Sequence, residues 1–519
     1  MNQYDVIVIG GGHNGLVAAA TLAKAGRKVL LLEKRQVLGG AAATEELFPG
    51  VQINTGASDA GLFADEIVKE LHLKMHGLEF RESAAALFTP QPDGTALTLW
   101  RDTAKTVTEI ARYSQRDAAQ YPAFVAQVNQ FGGILRQMFL QTPPDPYERD
   151  LNDLMGWGRV ALNLRLLGDR PMMDFIRVLP LSIKDYLDEW FESDALKGAL
   201  AGDGLTGLMQ GPYAGGTALM FLYQHSNGFL NRRLVSGGMG QLAAALLSVA
   251  QTNGAEIRTG AGVCRIVVNE GIATGVELES GEIIEATTIL STADPQRTFF
   301  DLVGPQQLEP RFMRQVRNII YRGSTARLHL VLQGLPSFVG QTNEGQIRGR
   351  VVISPSLTYL EKAYDHAKYG QISEHPYLEI TFPSLMDPTL APVGQHIGSV
   401  TMRYAPYRLR NTIWETQKPL LADHILNILE PYAPDLRSLI LYQHIITPLD
   451  WEQVYGLTEG SIMHGQMGID QLLVMRPVPG WSQYQTPITN LYLGGAGTHP
   501  GGGVTGAPGY NAARTLLRQ

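Results

Sequence analysis

The feature that most constrains this chain is the segment 5–40, which has the order of a nucleotide-binding βαβ unit. Residues 6–9 are a β-branched apolar run that predicts a strand buried on both faces. The run ends in Gly10, Gly12 and Gly15, spaced as GxGxxG. The first glycine permits a tight turn, the second lets the backbone approach a diphosphate, and the third lets a helix press against the strand. The segment therefore predicts a dinucleotide site.

The residues that follow continue the unit. Residues 16–25 are rich in alanine and leucine and predict a helix whose N-terminal N–H groups point at the phosphates. Residues 29–32 predict the second strand, and Glu33 ends it. A carboxylate there can accept both hydroxyls of an adenosine ribose and would repel a 2′-phosphate. The pair Gly39 and Gly40 follows, and its backbone is predicted to wrap the distal half of a long cofactor.

Composition excludes several classes of protein. A length of 519 residues indicates two or three domains, and a net charge of −7 argues against nucleic acid as the main partner. Cys264 is the single cysteine, which excludes an internal disulfide, a redox-active CxxC pair and a cysteine metal cluster. The histidines have no metal-like spacing, so no metal is predicted. With no signal peptide and no long apolar run, we expect a cytoplasmic protein, either free or peripheral on a membrane.

The end of the chain carries a second glycine-rich loop. Residues 490–493 predict a strand, residues 494–506 are mostly glycine and small residues, and residues 512–517 predict a helix. This loop aims another helix N-terminus at a ligand, which suits the negative charge that gathers on one side of a reduced flavin ring. Two such loops at opposite ends of the chain fit one long cofactor, FAD, held by both.

Between these ends the residue pattern of the sequence changes twice. From residue 78 the pattern no longer resembles a nucleotide site, and near residue 236 it returns to it. The predicted fold class is α/β, with a discontinuous Rossmann-like FAD-binding domain of the glutathione-reductase/amine-oxidase type and an inserted α+β substrate domain. The predicted FAD-binding domain comprises residues 1–77, 232–296 and 451–519, and the substrate domain residues 78–231 and 297–450. Residues 47–61 are predicted to form a loop under the cofactor.

The motifs DVIVIGGGHNGLVAAATLAKAG, LLEKRxxxGG and TPITNLYLGGAGTHPGGGVTGAPGYNAA together resemble the phytoene-desaturase superfamily of FAD oxidoreductases. The tail is nearer the branch that holds CrtO-type carotenoid ketolases and pyridine nucleotide-disulfide oxidoreductase domain-containing protein 2. The resemblance covers nearly the whole chain. It implies a phytoene dehydrogenase-like flavoprotein with non-covalent FAD and an apolar substrate drawn from a membrane.

The resemblance also implies which residues contact the cofactor. Those expected at the adenosine and diphosphate are Gly10, Gly12, Gly15, Glu33, Lys34, Gly39 and Gly40, with Val263 on the adenine side and Gly495, Gly497 and Gly506 on the flavin side. One departure matters: bacterial desaturases of the group usually read HPGAGIPG-like at the tail, whereas residues 499–506 read HPGGGVTG. Desaturation, ketolation, another oxidation and a non-carotenoid substrate therefore all stay open.

The hypothesis for the reaction is hydride transfer from an unactivated or allylic C–H of a lipophilic carotenoid or other isoprenoid to flavin. A quinone, dioxygen or another acceptor then reoxidises the flavin. Such a step needs positioning and exclusion of water more than a side-chain base, so no catalytic residue is assigned. His499, His464 and Asp470 are the side chains to mutate first. Two alternatives are a flavin-binding regulatory or scaffold protein without efficient turnover, and an NAD-linked dehydrogenase.

A basic and apolar stretch at residues 157–191 suggests contact with a membrane surface. Arg159, Arg165 and Arg170 are interleaved there with large apolar residues, in a chain that is acidic as a whole. Such a pattern can dock on an anionic membrane. The alternative interpretation is a solvated helical face over a core.

Overall fold

The computed structural model describes residues 4–144 and 151–518. The strands, in chain order, are β1 (Tyr4–Ile9), β2 (Val29–Leu32), β3 (Thr44–Phe48), β4 (Val51–Asn54), β5 (Phe80–Arg81), β6 (Ala85–Pro90), β7 (Ala96–Trp100), β8 (Leu234–Val235), β9 (Glu256–Arg258), β10 (Val263–Asn269), β11 (Ile272–Leu278), β12 (Ile283–Ser291), β13 (Thr325–Leu332), β14 (Arg350–Ile353), β15 (Leu378–Thr381), β16 (His396–Arg403), β17 (Ile440–Ile446) and β18 (Leu491–Leu493). The helices are α1 (His13–Lys24), α2 (Asp65–Glu70), α3 (Thr103–Ile110), α4 (Gln115–Phe139), α5 (Leu151–Leu166), α6 (Asp169–Val178), α7 (Ile183–Asp188), α8 (Asp194–Ala201), α9 (Thr217–Gln224), α10 (Gly240–Thr252), α11 (Pro310–Arg317), α12 (Leu357–Lys368), α13 (Trp414–Leu429), α14 (Leu436–Leu439), α15 (Pro448–Tyr455) and α16 (Ala507–Leu517).

The first large sheet gathers strands from both ends of the chain. Its strand order is β10-β11-β12-β1-β2-β9, and β18 pairs with the C-terminal half of β12. The strands β18, β12, β1, β2 and β9 run parallel, whereas β10 and β11 form an antiparallel meander. Because parallel strands end at the same edge of a sheet, the loop after β1 and the loop after β18 lie at one edge, with the end of β12 between them.

Strand β1 is buried on both faces, as the apolar run predicted. Val6 and Val8 pack into the core under helices α1, α10 and α16, whereas Ile7 and Ile9 face a second core beside the meander. Small side chains let these helices lie close together: residues 17–20 of α1 are valine and three alanines, and all four are buried. Helix α16 therefore holds the chain's C-terminal segment against its first helix.

The second large sheet has the order β17-β13-β16-β15-β14-β6-β7 and is antiparallel except for the β14–β6 pair. Residues along its strands point alternately to one face and to the other. In β13, Leu328 and Leu330 pack into a core with α13, and Arg327 lies on the opposite face. That opposite face is turned toward the first sheet. A separate helical cluster, which includes α4, α7, α8 and α9, packs beside the second sheet.

This architecture confirms the predicted fold class, an α/β protein with a discontinuous Rossmann-like domain and an inserted α+β part. The domain limits stay a prediction, and the strands of the first sheet come from residues 4–32, 256–291 and 491–493. One local expectation was wrong. The segment predicted as a loop at residues 47–61 begins in a hairpin, because β3 and β4 pair antiparallel from Thr44 opposite Asn54 to Phe48 opposite Val51.

Candidate functional site

A cavity of about 600 Å³ lies between the edge of the first sheet and the open face of the second. Both ends of the chain line it. Gly10, Gly12 and Glu33 contribute from the first unit, and Ala496 and Val504 contribute from the last loop. The two glycine loops that the sequence analysis paired therefore face one space, which a single elongated ligand can span.

The three glycines of the first loop differ in what they do. A Cβ at Gly15 would lie 2.0 Å from the carbonyl oxygen of Gly10, so this glycine lets α1 pack against the turn after β1. Gly10 has a φ of +99°, which L side chains rarely adopt. Gly12 lines the cavity, and a Cβ there would meet its nearest neighbour, the Cα of Gly40, only at 4.0 Å. The Gly12 backbone is therefore open to a ligand.

The carboxylate of Glu33 is held by two backbone N–H groups. Its Oε2 accepts from Gly11 at 2.7 Å and its Oε1 accepts from Arg35 at 2.8 Å. These bonds fix the carboxylate at the end of β2, where it lines the cavity. Lys34 also lines the cavity, but its ammonium pairs with Glu279 at 2.8 Å on the surface.

The remaining residues expected at the adenosine end lie close to this loop. Gly39 donates its N–H to the Gly11 carbonyl at 2.8 Å and supports the loop from behind. Gly40 and Val263 both line the cavity. Of the eight residues predicted for this end, the structure thus places six on the cavity wall and two, Gly15 and Gly39, immediately behind it.

At the other end, the predicted glycines form the backing of the wall. Gly495 packs against the Thr292 carbonyl and Gly497 against Pro295, while Gly506 immediately precedes α16. The cavity is lined instead by their neighbours Ala496, Gly503 and Val504. Contact of the three predicted glycines with FAD stays a prediction.

Arg476 organises this second loop, and the sequence analysis missed it. Its fully buried guanidinium donates to the carbonyl oxygen of Ala496 at 2.7 and 3.0 Å and to that of Met463 at 2.5 Å. Burial lowers the pKa of Arg476 to about 10. A lone arginine near a glycine-rich tail gives no sequence signal, because its partners are backbone carbonyls.

The three side chains singled out for mutation lie in different surroundings. His464 lines the cavity, and burial lowers its pKa. His499 is buried outside the cavity lining; its Nε2 bonds to the Met138 carbonyl at 3.0 Å, and its Nδ1 is a buried atom with no hydrogen-bond partner among the described residues. Asp470 is exposed and also lies outside that lining. His13, at the start of α1, lines the cavity, and burial lowers its pKa to about 4.

The cavity has a charged wall, contributed by strands of the second sheet and by loops outside it, that the sequence analysis did not identify. Its members on the lining are Asp59, Asp203, His225, Arg232, Arg327, Glu379 and Arg403. Arg350 lies behind them and donates to both oxygens of Asp203 at 2.5 Å. Burial alone would raise the pKa of Glu379, but Arg232 and Arg350 bring it down to about 2. For Arg327, Glu379 and Arg403, the signal present in the sequence was the alternation of polar and apolar residues along β13, β15 and β16.

His225 is neutral and its tautomer is set by its contacts. Its Nδ1 accepts the backbone N–H of Leu230 at 3.2 Å, which leaves the ring proton on Nε2, 3.4 Å from Asp203. Burial lowers the pKa of His225, although the carboxylate of Asp203 opposes that shift.

The residues present fit an FAD dinucleotide. At the first loop, the buried atoms His13 Nε2, Asn14 Oδ1 and Arg35 Nη1 have no hydrogen-bond partner among the described residues. All three residues line the cavity beside the N-terminus of α1. Unsatisfied buried polar groups are costly, so such a set indicates a polar ligand there. Gly10, Gly12 and the α1 N-terminus would hold the diphosphate, and Glu33 the adenosine ribose.

Fold and site together define a flavin-dependent oxidoreductase, and sequence comparison gives its family. The profile described as flavin containing amine oxidoreductase matches residues 15–517. The chain belongs to this family, and its cofactor is FAD. The NAD-linked alternative is therefore not retained.

Relatives across the whole chain include members of the group predicted from the motifs. Pyridine nucleotide-disulfide oxidoreductase domain-containing protein 2 of Rattus norvegicus is 35% identical over 99% of this chain and 94% of its own length. A limonene dehydrogenase chain from Castellaniella defragrans is 29% identical over 100% and 95%. The lycopene-forming phytoene desaturase of Pseudescherichia vulneris is 25% identical over 96% of both chains. The predicted relationship to phytoene-desaturase-like flavoproteins is confirmed.

Solved structures show the same fold. An oxidoreductase from Methanosarcina mazei matches with a TM-score of 0.60 at 17% identity, over 99% of this chain and 100% of the other. Cyclohexylamine oxidase from Brevibacterium oxydans matches with a TM-score of 0.57 at 15% identity, over 99% and 97%.

Proposed function

We propose that this chain oxidises a lipophilic, isoprenoid-type substrate by hydride transfer to bound FAD, with a quinone or dioxygen as the final electron acceptor. The observation that carries the proposal is the shared cavity. Beyond the two glycine loops it continues between apolar side chains, among them Leu62, Leu205, Leu208, Ile462 and Met463. Two of the relatives are named for limonene and phytoene, which are isoprenoid hydrocarbons.

The protein's own part in such a reaction is positioning and exclusion of water. FAD supplies the hydride acceptor when it is bound. Leu205 and Met463 offer an apolar surface that can hold a substrate C–H next to the second loop. His13 and His464 stay neutral near pH 7 because burial lowers the pKa of each. Neither side chain therefore places a cation beside the reacting atoms. The hydride can leave without a side-chain base, and water or a neutral imidazole can take the proton that the oxidised substrate then loses.

The test is anaerobic reduction of the purified protein. We expect a yellow protein that releases FAD on gentle denaturation and whose flavin absorbance bleaches when a lipophilic isoprenoid is added, either the polyene phytoene or farnesoic acid. A colourless protein, or a flavin that no lipophilic substrate reduces, would contradict the proposal. In the second case, recovery of a partner protein with the flavin-loaded chain would favour the scaffold alternative.

We also propose that the surface formed by α5 and α6 contacts an anionic membrane. Leu162, Leu166 and Met173 are 56%, 72% and 59% exposed on it. Arg159 and Arg170 are exposed beside them. Apolar and basic side chains on one surface favour binding at a lipid interface. Within residues 4–144 and 151–518, none of the helices combines the length and hydropathy that a bilayer-spanning segment needs.

Liposome sedimentation tests this surface. Changing Arg159, Arg165 and Arg170 together to glutamate is expected to reduce co-sedimentation with vesicles that contain phosphatidylserine. The matched control is Arg437→Glu on a distant surface, where Arg437 pairs with Asp423 at 2.8 Å. Equal sedimentation of the triple variant and the unaltered protein would refute membrane contact and leave the oxidoreductase proposal intact.

A further inference from the structure

The charged wall of the cavity, counted together with Arg350 behind it, contains one more cation than anion. Its four arginines are Arg232, Arg327, Arg350 and Arg403, and its three carboxylates are Asp59, Asp203 and Glu379. Buried charges are retained only where they are paired or hydrogen-bonded. A plain hydrocarbon offers such charges no hydrogen-bond or ionic partner. The way these charges pair therefore indicates what else the cavity binds.

All three carboxylates are already paired with two of the arginines. Arg350 holds both oxygens of Asp203 at 2.5 Å and contacts Glu379 at 3.1 Å. Arg232 contacts Asp59 at 2.7 Å and Glu379 at 3.2 Å. Each carboxylate of the wall is thus paired with Arg232 or Arg350, whereas Arg327 and Arg403 form no ion pair with the described residues.

Arg403 has neutral partners in place of a carboxylate. Its guanidinium donates to the Gly202 carbonyl and, at 2.8 Å, to the Thr206 hydroxyl. It also lies over the ring of Tyr377, 4.4 Å from the ring centre. These contacts satisfy it without an anion.

Arg327 has no such partners. Its side chain makes no hydrogen bond or ion pair with any residue in the described ranges, and its Nη1 is a buried atom without a partner. The residue is 8% exposed and lines the cavity. It belongs to β13, where its register partner in the neighbouring strand β16 is the neutral Thr401. A guanidinium with five donors is thus buried at the cavity wall with none of them used inside the described protein.

We propose that Arg327 binds an oxyanion of the substrate, so that the substrate is an amphiphile with a carboxylate-type head and an apolar body. The inference rests on the proposed function and narrows its substrate class. The head would lie against the second sheet, between Arg327 and Thr401. The body would extend past Leu205 and Met463 toward the loop of Val504. A planar guanidinium suits a carboxylate because two parallel N–H bonds can form.

The FAD diphosphate is the other oxyanion that can enter this cavity, and the geometry favours the substrate. The groups that act on Arg327 electrostatically are Glu379, Asp59 and Arg232 of the charged wall, together with Tyr455 at the end of α15. The diphosphate cradle, Gly10 and Gly12, ends the first strand of the other sheet.

The test is equilibrium dialysis of the FAD-loaded protein with farnesoic acid and its methyl ester, a pair that differs in charge and shares an isoprenoid body. We expect the acid to bind at least tenfold more tightly than the ester. In Arg327→Met this ratio should fall to near 1, and in Arg327→Lys it should be intermediate because the charge is kept without the planar fork. The surface control Arg437→Met should keep the ratio of the unaltered protein.

Two further measurements separate substrate binding by Arg327 from a role in stability or in FAD binding. If Arg327 is a ligand-binding group, Arg327→Met should unfold at the same or a higher temperature, since it removes an unpaired buried charge. It should also retain as much FAD per chain as the unaltered protein. An acid bound no more tightly than the ester, or a variant that loses FAD and keeps the acid preference, overturns the inference. Because dialysis measures binding without turnover, failure of the proposed reaction is scored separately, by the flavin-bleaching experiment.

Discussion

At the scale of the residue, the hydrogen bonds around Glu33 show how a backbone turn prepares a binding group. Two N–H groups, from Gly11 and Arg35, each hold one carboxylate oxygen. The acid is therefore oriented before a ligand arrives, which lowers the ordering cost of binding. The same residue type on a distant surface, Glu344, lacks this support and pairs with Arg348 at 3.0 Å.

We expect Glu33→Gln to weaken FAD binding about tenfold or more, which corresponds to about 1.4 kcal/mol. A glutamine amide would turn one NH2 group toward a backbone N–H that needs an acceptor, and it loses the charge-assisted bonds to a ribose. The measurement is the dissociation constant of FAD after reconstitution of the apoprotein. Glu344→Gln is the control, outside the cavity lining, and should bind FAD normally; equal affinity of both variants would argue against the assigned role of Glu33.

Residues that act through backbone partners are hard to find from sequence. Glu33 follows a glycine motif at a recognisable spacing and was predicted. Arg476 has carbonyl partners from Met463 and Ala496, which lie 13 and 20 residues away in the chain. Carbonyl acceptors are present at every position, so no residue pattern marks which ones a buried arginine will reach.

At the scale of the element, helix α4 offers a direct comparison of two neighbouring glycines. Gly132 faces the end of α9, and a Cβ there would lie 2.6 Å from the carbonyl oxygen of His225. Gly133 has nothing within 4 Å of the same position. One glycine thus lets two segments approach closely, and the other only weakens the helix.

We expect opposite effects from alanine at these two positions. Gly132→Ala should lower the free energy of unfolding by about 1–3 kcal/mol, because the methyl group forces α4 away from His225. Gly133→Ala should raise it by about 0.5–1 kcal/mol, because alanine loses less conformational entropy in a helix. Urea denaturation of each variant measures the change. The same sign for both would contradict the packing described for this helix.

Strand periodicity also explains what was predictable at this scale. β1 and β2 were predicted because a run of apolar residues buried on both faces is distinctive. In β13 the alternation of Arg327 and His329 with Leu328 and Leu330 was present in the sequence. Alternation shows that one face is polar. It does not show whether that face meets solvent or a closed cavity, which depends on what packs against the sheet.

At the scale of the whole molecule, buried histidines link stability to pH. His329 and His499 are 0% and 1% exposed, and burial lowers the pKa of His329 to about 3 and that of His499 to about 4. Each pKa lies below the value near 6.5 of an unfolded histidine. Between these values the unfolded chain binds more protons, so the folded state loses stability as the pH falls.

We expect the free energy of unfolding to be steady above pH 7 and to decrease below pH 6.5, by about 2 kcal/mol for each of the two histidines at pH 5. Below about pH 4.5 the loss should steepen, since Glu379 has a folded-state pKa of about 2, below that of an unfolded glutamate. Urea titrations at several pH values measure the curve. His329→Gln, which cannot titrate, should remove about half of the loss that these two histidines cause between pH 6.5 and 5. An unchanged slope in that variant would show that His329 is not responsible.

The sequence by itself determined the nucleotide unit at residues 5–40, the second glycine loop, the cofactor and the family, because glycine spacing and buried strands are local patterns that the chain must satisfy within a few residues. Only the tertiary structure decided that both loops face one cavity and that Arg327 lies unpaired on its wall. The shared cavity depends on strands that are hundreds of residues apart in the chain and come together only in the folded protein. The unpaired state of Arg327 depends on which of the surrounding charges pair with one another. No local sequence pattern encodes these two features.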